Sequence, residues 1–174
     1  MIEPPGAAYR IEPLTSSHDR VSFHCGVPEL DHYLHVQAGQ DARRKAAAPF
    51  VMLDAHGQVV GYYTLSAYSV HFAELPEIAA KKLPRYPLLP ATLLGRLAVR
   101  ADHKGQKLGK LLLMDALWRS LRNTDQIASI GVIVEAIDDN ARAFYLHHEF
   151  TPLENHANKL FLAMATIEKA FKAG

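Results

Sequence analysis

One cysteine, Cys25, stands in 174 residues. A single thiol excludes an internal disulfide framework, and no apolar run approaches the roughly 18 residues that a membrane-spanning helix needs. With no N-terminal signal pattern either, these absences predict a soluble, reducing, cytoplasmic setting. Repeats and low-complexity tracts are missing, and no linker-like stretch divides the chain, so residues 1–174 are expected to form a single domain. Net charge is also scarce: 19 Lys and Arg against 18 Asp and Glu give +1. That balance conceals a basic stretch between 81 and 110, where Lys81, Lys82, Arg85, Arg96, Arg100, Lys104, Lys107 and Lys110 are accompanied by one acidic residue, Asp102.

What is present is an ordinary globular core composition, 49% hydrophobic and 21% charged. A short edge strand is expected around Tyr9 to Pro13. From Pro28, the spacing of Leu30, Tyr33, Leu34 and Ala38 predicts a helix opened by proline, followed by a second helical piece. Phe50 to Leu53 reads as a strand, "DAHG" at 54–57 as a turn, and "QVVGYYTLSAYSV" as the returning strand of a hairpin. Pro76, Pro84, Pro87 and Pro90 exclude a regular helix or interior strand across "ELPEIAAKKLPRYPLLP" beyond a short helical turn. "ATLLGRLAV" then reads as a buried strand. The next helix begins near Lys107, with Leu111, Met114, Leu117, Trp118 and Leu121 on its apolar stripe. Ser129 to Ile137 reads as the following strand. Strand, helix and strand in that order predict a right-handed parallel crossover. A short capped helix in "DDNARAFYLHHEF" and a closing strand in "KLFLAMA" complete the chain.

The connection between strand and helix, Lys104-Gly105-Gln106-Lys107-Leu108-Gly109-Lys110, is richer than a connector needs. A helix start leaves N–H groups without intrahelical partners, and glycine lets the backbone approach a ligand closely, so a glycine turn there suits a phosphate or pyrophosphate. The lysines add charge. The alternative is a glycine turn with solvated lysines. A triphosphate-binding G-x-x-x-x-G-K-[ST] loop is excluded, because Gly105 and Gly109 are one residue too close and Leu111 occupies the Ser/Thr position. The dinucleotide G-x-G-x-x-G pattern also fails, which removes NAD.

At this point "RLAVRADHKGQKLGKLLL" and "DDNARAFYLHHEF" together resemble the GNAT family of acyl-CoA-dependent N-acetyltransferases. "FHCGVPELDHYL", "GYYTLS", "LPRYP", "LLGRLAV", "LLLMDAL" and "ARAFYLHHEFTPL" are further similar to the GNAT toxins of bacterial toxin–antitoxin systems. The resemblance covers most of the chain. It implies an α/β (α+β) fold: a mixed, mostly antiparallel twisted sheet flanked by helices, with a central parallel β-α-β crossover. It also implies acetyl-CoA as co-substrate and no metal. Leu97, Ala98 and Val99 would line the pantetheine arm, and Lys104, Gly105, Gln106, Lys107, Leu108, Gly109 and Lys110 would hold the pyrophosphate. The chain departs from the family at Lys104, where Gln or Arg is usual, at Lys107, which replaces the first motif glycine, and at Glu149, which replaces the glycine before Phe150. At Lys107 two outcomes are open: the side chain blocks the phosphates, or it turns outward or meets one as a point charge.

The toxins transfer acetyl to the α-amine of aminoacyl-tRNA and so block translation. An α-amine titrates at about 7.7 to 8.0, so a substantial fraction is neutral without a strong base. By the resemblance Tyr145 is the acid that protonates the departing thiolate, with Phe144 beside it among the cofactor-binding residues. Asn140 either bonds the pantetheine or serves as an N-cap. A backbone N–H at the end of Leu97–Val99 would polarise the thioester carbonyl. Arg44, Arg85 and Arg96 are the candidates for tRNA phosphates. The implied partners are aminoacyl-tRNA and a ribbon-helix-helix antitoxin, and a homodimer is allowed. Two other readings stay open: a GNAT enzyme for a small amine or a protein acceptor, and a GNAT-like protein defective in cofactor binding. Glu135 is expected to be a solvated or paired carboxylate, Cys25 a buried small hydrophobe, and Tyr62, Tyr63 and Tyr68 strand packing. His32, His35, His147 and His148 lack the Cys or carboxylate partners of a zinc set.

Overall fold

The computed structural model describes residues 8–173. Strand β1 spans Arg10–Pro13, β2 Ala48–Leu53, β3 Val59–His71, β4 Leu88–Val99, β5 Gly131–Glu135, β6 Thr151–Leu153 and β7 His156–Ala163. Helices are α1 Pro28–His32, α2 Ala38–Arg43, α3 Glu77–Ala80, α4 Leu108–Asn123, α5 Asp139–His147 and α6 Met164–Lys172. Tyr33–Gln37, between α1 and α2, is π-helical. The strands hydrogen-bond as one seven-stranded sheet in the order β1-β2-β3-β4-β5-β7-β6. β4 and β5 run parallel, and β1–β2, β2–β3, β5–β7 and β6–β7 are antiparallel. The described residues fall into two compact units, the residues up to Ser66 with Arg96–Ala116, and Ala67–Gly95 with the residues from Leu117 on.

In the first unit, β-branched and aromatic residues make the hairpin: Val51, Val59, Val60, Tyr62 and Tyr63 are all buried. Its turn is fixed by Asp54, whose Oδ1 accepts from the N–H groups of His56 and Gln58 at 2.9 Å each. The core of this unit joins Phe23, Cys25, Tyr33, Leu34 and Ala38 to Val51, Leu53, Val59, Tyr62 and Ala98. The Tyr62 hydroxyl donates to the Leu30 carbonyl at 2.6 Å, so a buried phenol is satisfied while its ring packs.

The second unit has its own core of Val70, Leu75, Leu89, Ala91, Ile133, Leu153 and Phe161. Thr92, Leu93 and Leu94 of β4 pair with Val132, Ile133 and Val134 of β5. Gly131 is required where β5 meets β7: a Cβ there would collide with the Phe161 ring and the Leu162 carbonyl oxygen.

Several expectations need correction. β4 begins at Leu88, so Pro90 lies inside a strand that the prolines were expected to exclude. Pro90 is tolerated because it is exposed near the strand's start and contributes its carbonyl, which accepts from Ile130 N–H at 2.9 Å; the donor that proline lacks is not called on. β5 is shorter than Ser129 to Ile137, ending at Glu135. The apolar run "KLFLAMA" ends as a strand at Ala163, and Met164 opens α6, which was not anticipated; nor was the three-residue β6. On α4 the buried residues are Leu108, Leu112, Leu113, Ala116, Leu117 and Ser120, while Leu111, Met114, Trp118 and Leu121 are half-buried. Four consecutive apolar residues at 111–114 leave the helix phase undetermined by periodicity alone.

Candidate active site

The loop ahead of α4 belongs to the first unit. It enters through a single 3₁₀ turn, Ala101–His103, anchored by Ala101 N–H to the His24 carbonyl at 2.9 Å and by Arg100 N–H to the Val60 carbonyl at 2.8 Å. Gly105 is left-handed at φ +84°, and Lys107 is left-handed at φ +60°. Lys107 therefore keeps the backbone that a glycine would supply, although its side chain disfavours it by roughly 1–2 kcal/mol. The first helical bond runs from Leu111 N–H to the Lys107 carbonyl at 3.3 Å, so the N–H groups of Leu108, Gly109 and Lys110 precede the helical ladder. Leu108 is buried and fastens the helix start, while Lys104, Gly105, Gln106, Lys107 and Lys110 are exposed. No atom lies within 4 Å of the position a Cβ on Gly105 would take. The Tyr9 hydroxyl donates to Gln106 Oε1 at 3.1 Å, tying this side chain to the chain's N-terminal region. Open space over the backbone, donors at a helix start and three exposed ammonium groups fit a diphosphate.

Leu97, Ala98 and Val99 form the end of β4, with Ala98 buried and its neighbours half-buried. The parallel register of β4 with β5 covers Thr92–Leu94, and β4 continues to Val99.

Tyr145 lies in the second unit, on α5. The helix is started by Asp138, whose Oδ1 accepts from Ala141 N–H at 2.8 Å. Asn140 is thus not the N-cap; it sits exposed in the first turn. The helix is ended by a Schellman motif: Glu149 N–H donates to the Leu146 carbonyl at 3.2 Å, and Phe150 N–H to the Tyr145 carbonyl at 3.1 Å. Glu149, at φ +72°, takes the left-handed position usually given to glycine. This motif brings Phe150 edge-on to the Tyr145 ring at 5.3 Å, and Phe144 approaches the other way at 5.3 Å. Tyr145 is 6% exposed, and burial raises its phenol well above the ordinary tyrosine range. Among the described residues its hydroxyl has no hydrogen-bond partner. The phenol is protonated at neutral pH, as any tyrosine is, and its hydroxyl can donate to a departing thiolate; burial makes it a weaker acid, so the geometry and not the shift is what suits it to that role.

Other candidates resolve individually. Cys25 is buried, and burial, with Asp31 beside it, pushes its thiol up to about 11, which leaves it inert as a nucleophile. Glu135 is exposed opposite Lys159 in the β5–β7 register. Tyr62 and Tyr63 are buried on β3, and Tyr68 receives a hydrogen bond from Lys159 Nζ at 3.5 Å. Among the described residues no three His, Cys, Asp or Glu side chains gather as a metal set. Of the basic candidates, Arg44 and Arg85 are exposed, whereas Arg96 is half-buried with its guanidinium carbon 3.5 Å from the Tyr33 ring centroid. The sequence reading missed the Tyr9–Gln106 bond, the Schellman clamp and the Tyr33 partner of Arg96. Only the clamp had a local signal, the helix followed by Phe150; the other two join residues far apart in the chain.

The acetyltransferase (GNAT) family matches residues 14–150. The chain is 36% identical over 137 residues to a tRNA-acetylating toxin of Mycobacterium tuberculosis (strain ATCC 25618 / H37Rv), covering 79% of this chain and 81% of the relative. Among solved structures, AtaT complexed with acetyl-methionyl-tRNAfMet superposes with a TM-score of 0.86 at 31% identity, covering 94% of this chain and 99% of that one. A mutant AtaT toxin bound to the C-terminus of the antitoxin AtaR and acetyl-CoA gives a TM-score of 0.80 at 27% identity, covering 94% and 98%. The chain belongs to the acetyltransferase (GNAT) family.

Proposed function

We propose that this protein is an acetyl-CoA-dependent N-acetyltransferase that acetylates the α-amine of aminoacyl-tRNA, acting as the toxin of a type II toxin–antitoxin pair in the cytoplasm and blocking translation. Residues 1–174 act as one domain. The observation that carries the reading is the loop before α4: Lys107 holds a left-handed φ of +60° where the family places glycine. The departure that could have closed the loop keeps a backbone conformation that glycine adopts, which supports a loop still open to the cofactor. Relatives that act on tRNA support the acceptor class.

The roles follow from the residues. The main-chain amides of Leu108, Gly109 and Lys110, with the ammonium groups of Lys104, Lys107 and Lys110, hold the diphosphate. Gly105 and Gln106 shape the loop, and Leu97, Ala98 and Val99 offer backbone groups to the pantetheine arm and the thioester carbonyl, with Asn140 and Phe144 as further pantetheine contacts. The thioester supplies the activated acetyl group. The neutral acceptor amine attacks the thioester carbonyl without a strong base; as the C–S bond breaks, Tyr145 Oη gives its proton to the departing sulfur, and the proton shed by the new amide nitrogen returns to the tyrosinate through solvent. Arg44, Arg85 and Arg96 bind tRNA phosphates. Between acetylations a ribbon-helix-helix antitoxin restrains the enzyme, and a homodimer is the assembly to test first.

The test incubates purified protein with labelled acetyl-CoA and a mixed pool of charged tRNA, and identifies acetylated amino acids by mass spectrometry. Acetylated aminoacyl-tRNA is expected. Label appearing only on small amines or protein termini would overturn the acceptor assignment, and no bound acetyl-CoA by calorimetry would overturn the enzyme assignment. Tyr145→Phe should lower kcat roughly 10²-fold or more while thermal stability holds, because the ring keeps its packing and only the proton is lost.

A further inference from the structure

Arg96 immediately precedes the Leu97–Val99 segment of β4. Its guanidinium carbon sits over the ring of Tyr33, 3.5 Å from the ring centroid; Tyr33 is 5% exposed and stacks in turn on Tyr62 at 6.3 Å and 16°. The Tyr33 hydroxyl donates to Asp41 Oδ2 at 2.8 Å, and Gln37 Nε2 donates to Asp41 Oδ1 at 2.9 Å. Positions 33, 37 and 41 recur every four residues along the helical run, so they share a side. The π-helical turn that starts at Tyr33 is a widening of the kind found at functional sites, since it holds side chains where a regular helix would not.

A guanidinium stacked on a ring keeps its N–H donors at the edge, in the plane away from the ring. At Arg96 that edge is unengaged: among the described residues no oxygen accepts from it. The carboxyl of Asp41 is held below the usual range first by the Gln37 and Tyr33 hydrogen bonds, which take both its oxygens, and only then by the nearby Arg96 and Arg44 charges. Arg10, Arg100 and Arg142, by contrast, each donate to an oxygen of their own unit. A half-buried cation fixed on one face and unpaired at its edge is organised for an anion from outside the chain. The nucleic-acid backbone supplies phosphates suited to a planar fork.

Resting on the function proposed above, we propose that Tyr33 is a positioning residue: its ring, locked through Asp41 and Gln37, presents the edge of Arg96 to a backbone phosphate of the charged tRNA.

The test measures KM for charged tRNA and for acetyl-CoA across a salt series in wild type, Arg96→Gln, Tyr33→Phe and Tyr33→Leu. Arg96→Gln should raise the tRNA KM about tenfold, as loss of a charged hydrogen bond does. It should also flatten the log KM against log salt line by about 0.7 to 1, one phosphate's worth. Tyr33→Leu, which removes no charge, should produce the same flattening, while Tyr33→Phe, which keeps the ring but loses its bond to Asp41, should keep the wild-type slope with a severalfold higher tRNA KM. KM for acetyl-CoA should stay unchanged throughout. A wild-type slope in Arg96→Gln, or a Tyr33→Leu enzyme impaired only in kcat or in acetyl-CoA KM, would overturn the proposal. If Tyr33→Leu does not fold, Asp41→Asn takes its place: a severalfold higher tRNA KM is expected, and an unchanged one overturns. Equilibrium binding of uncharged tRNA over the same salt series separates the two readings. If the wild type binds it with the Arg96-dependent slope but acetylates nothing, the function falls and this contact stands.

Discussion

At Lys107 and Glu149 the backbone is left-handed, with φ of +60° and +72°, and at both positions the side chain opposes a conformation that the surrounding structure requires. At 107 the requirement is the turn that exposes amides ahead of α4; at 149 it is the Schellman cap that seats Phe150 against Tyr145. Glycine would remove the steric opposition at the expense of some unfolded-state entropy. Lys107→Gly and Glu149→Gly should therefore each stabilise the protein by up to about 1 kcal/mol in urea unfolding. Lys107→Gly also removes an ammonium, so its KM for acetyl-CoA should rise in low salt even as stability increases. A second residue-scale expectation concerns alkaline pH. The Cys25 thiol moves from an ordinary 9.0 up to about 11, and the Tyr33 phenol from 10.0 up to about 12, both chiefly by burial. The folded state holds these protons more tightly than the unfolded chain. Their stabilisation is therefore complete below about pH 9 and is lost as pH rises toward 11 and 12. Thermal midpoints should fall over that range, and an aromatic disulfide reagent at pH 8 should label Cys25 slowly in native protein and rapidly in urea.

At the scale of elements, α5 is nine residues long, too short to persist without its ends. Its start depends on Asp138 and its finish on the Glu149–Phe150 motif, and between them they fix the orientation of Tyr145. Asp138→Ala should cost about 1 kcal/mol of stability. It should also lower kcat and raise KM for acetyl-CoA, because Tyr145 and the proposed pantetheine contacts Asn140 and Phe144 are carried by the same helix; circular dichroism melts and steady-state kinetics would check this together. Sequence pattern located this helix, the β2–β3 hairpin and the β4-α4-β5 crossover because each of their elements announces itself by its own periodicity or turn residues. It left the cap open, since Asp138, Asp139 and Asn140 are all competent acceptors and only the position of Ala141 N–H selects Asp138 among them. It also missed α6, because an apolar strand running directly into an apolar helix face gives no break at Ala163.

For the whole molecule, a net charge of +1 says little about a nucleic-acid partner, because the basic residues act where the fold displays them. The two compact units each have a core, yet β3 and β4 both pass from one to the other. Unfolding is expected to be a single cooperative transition. Acetyl-CoA at a hundredfold its Kd should shift that transition by about 2.7 kcal/mol as one. Two separated calorimetric peaks, only one of them moved by ligand, would contradict the single-domain reading.

The sequence by itself determined the class of fold and, through its resemblance, the family, and it marked the loop at 104–110 and Tyr145 as the proposed site, because all of these rest on short stretches such as "RLAVRADHKGQKLGKLLL" and "DDNARAFYLHHEF". Tertiary structure decided whether Lys107 could adopt a glycine's backbone, which face of α4 is buried, that Asp138 starts α5, and that Arg96 lies on Tyr33. Each of these depends on groups brought together from distant parts of the chain, or on a dihedral angle that the packing around it imposes, and neither is written in the spacing of residues along one segment.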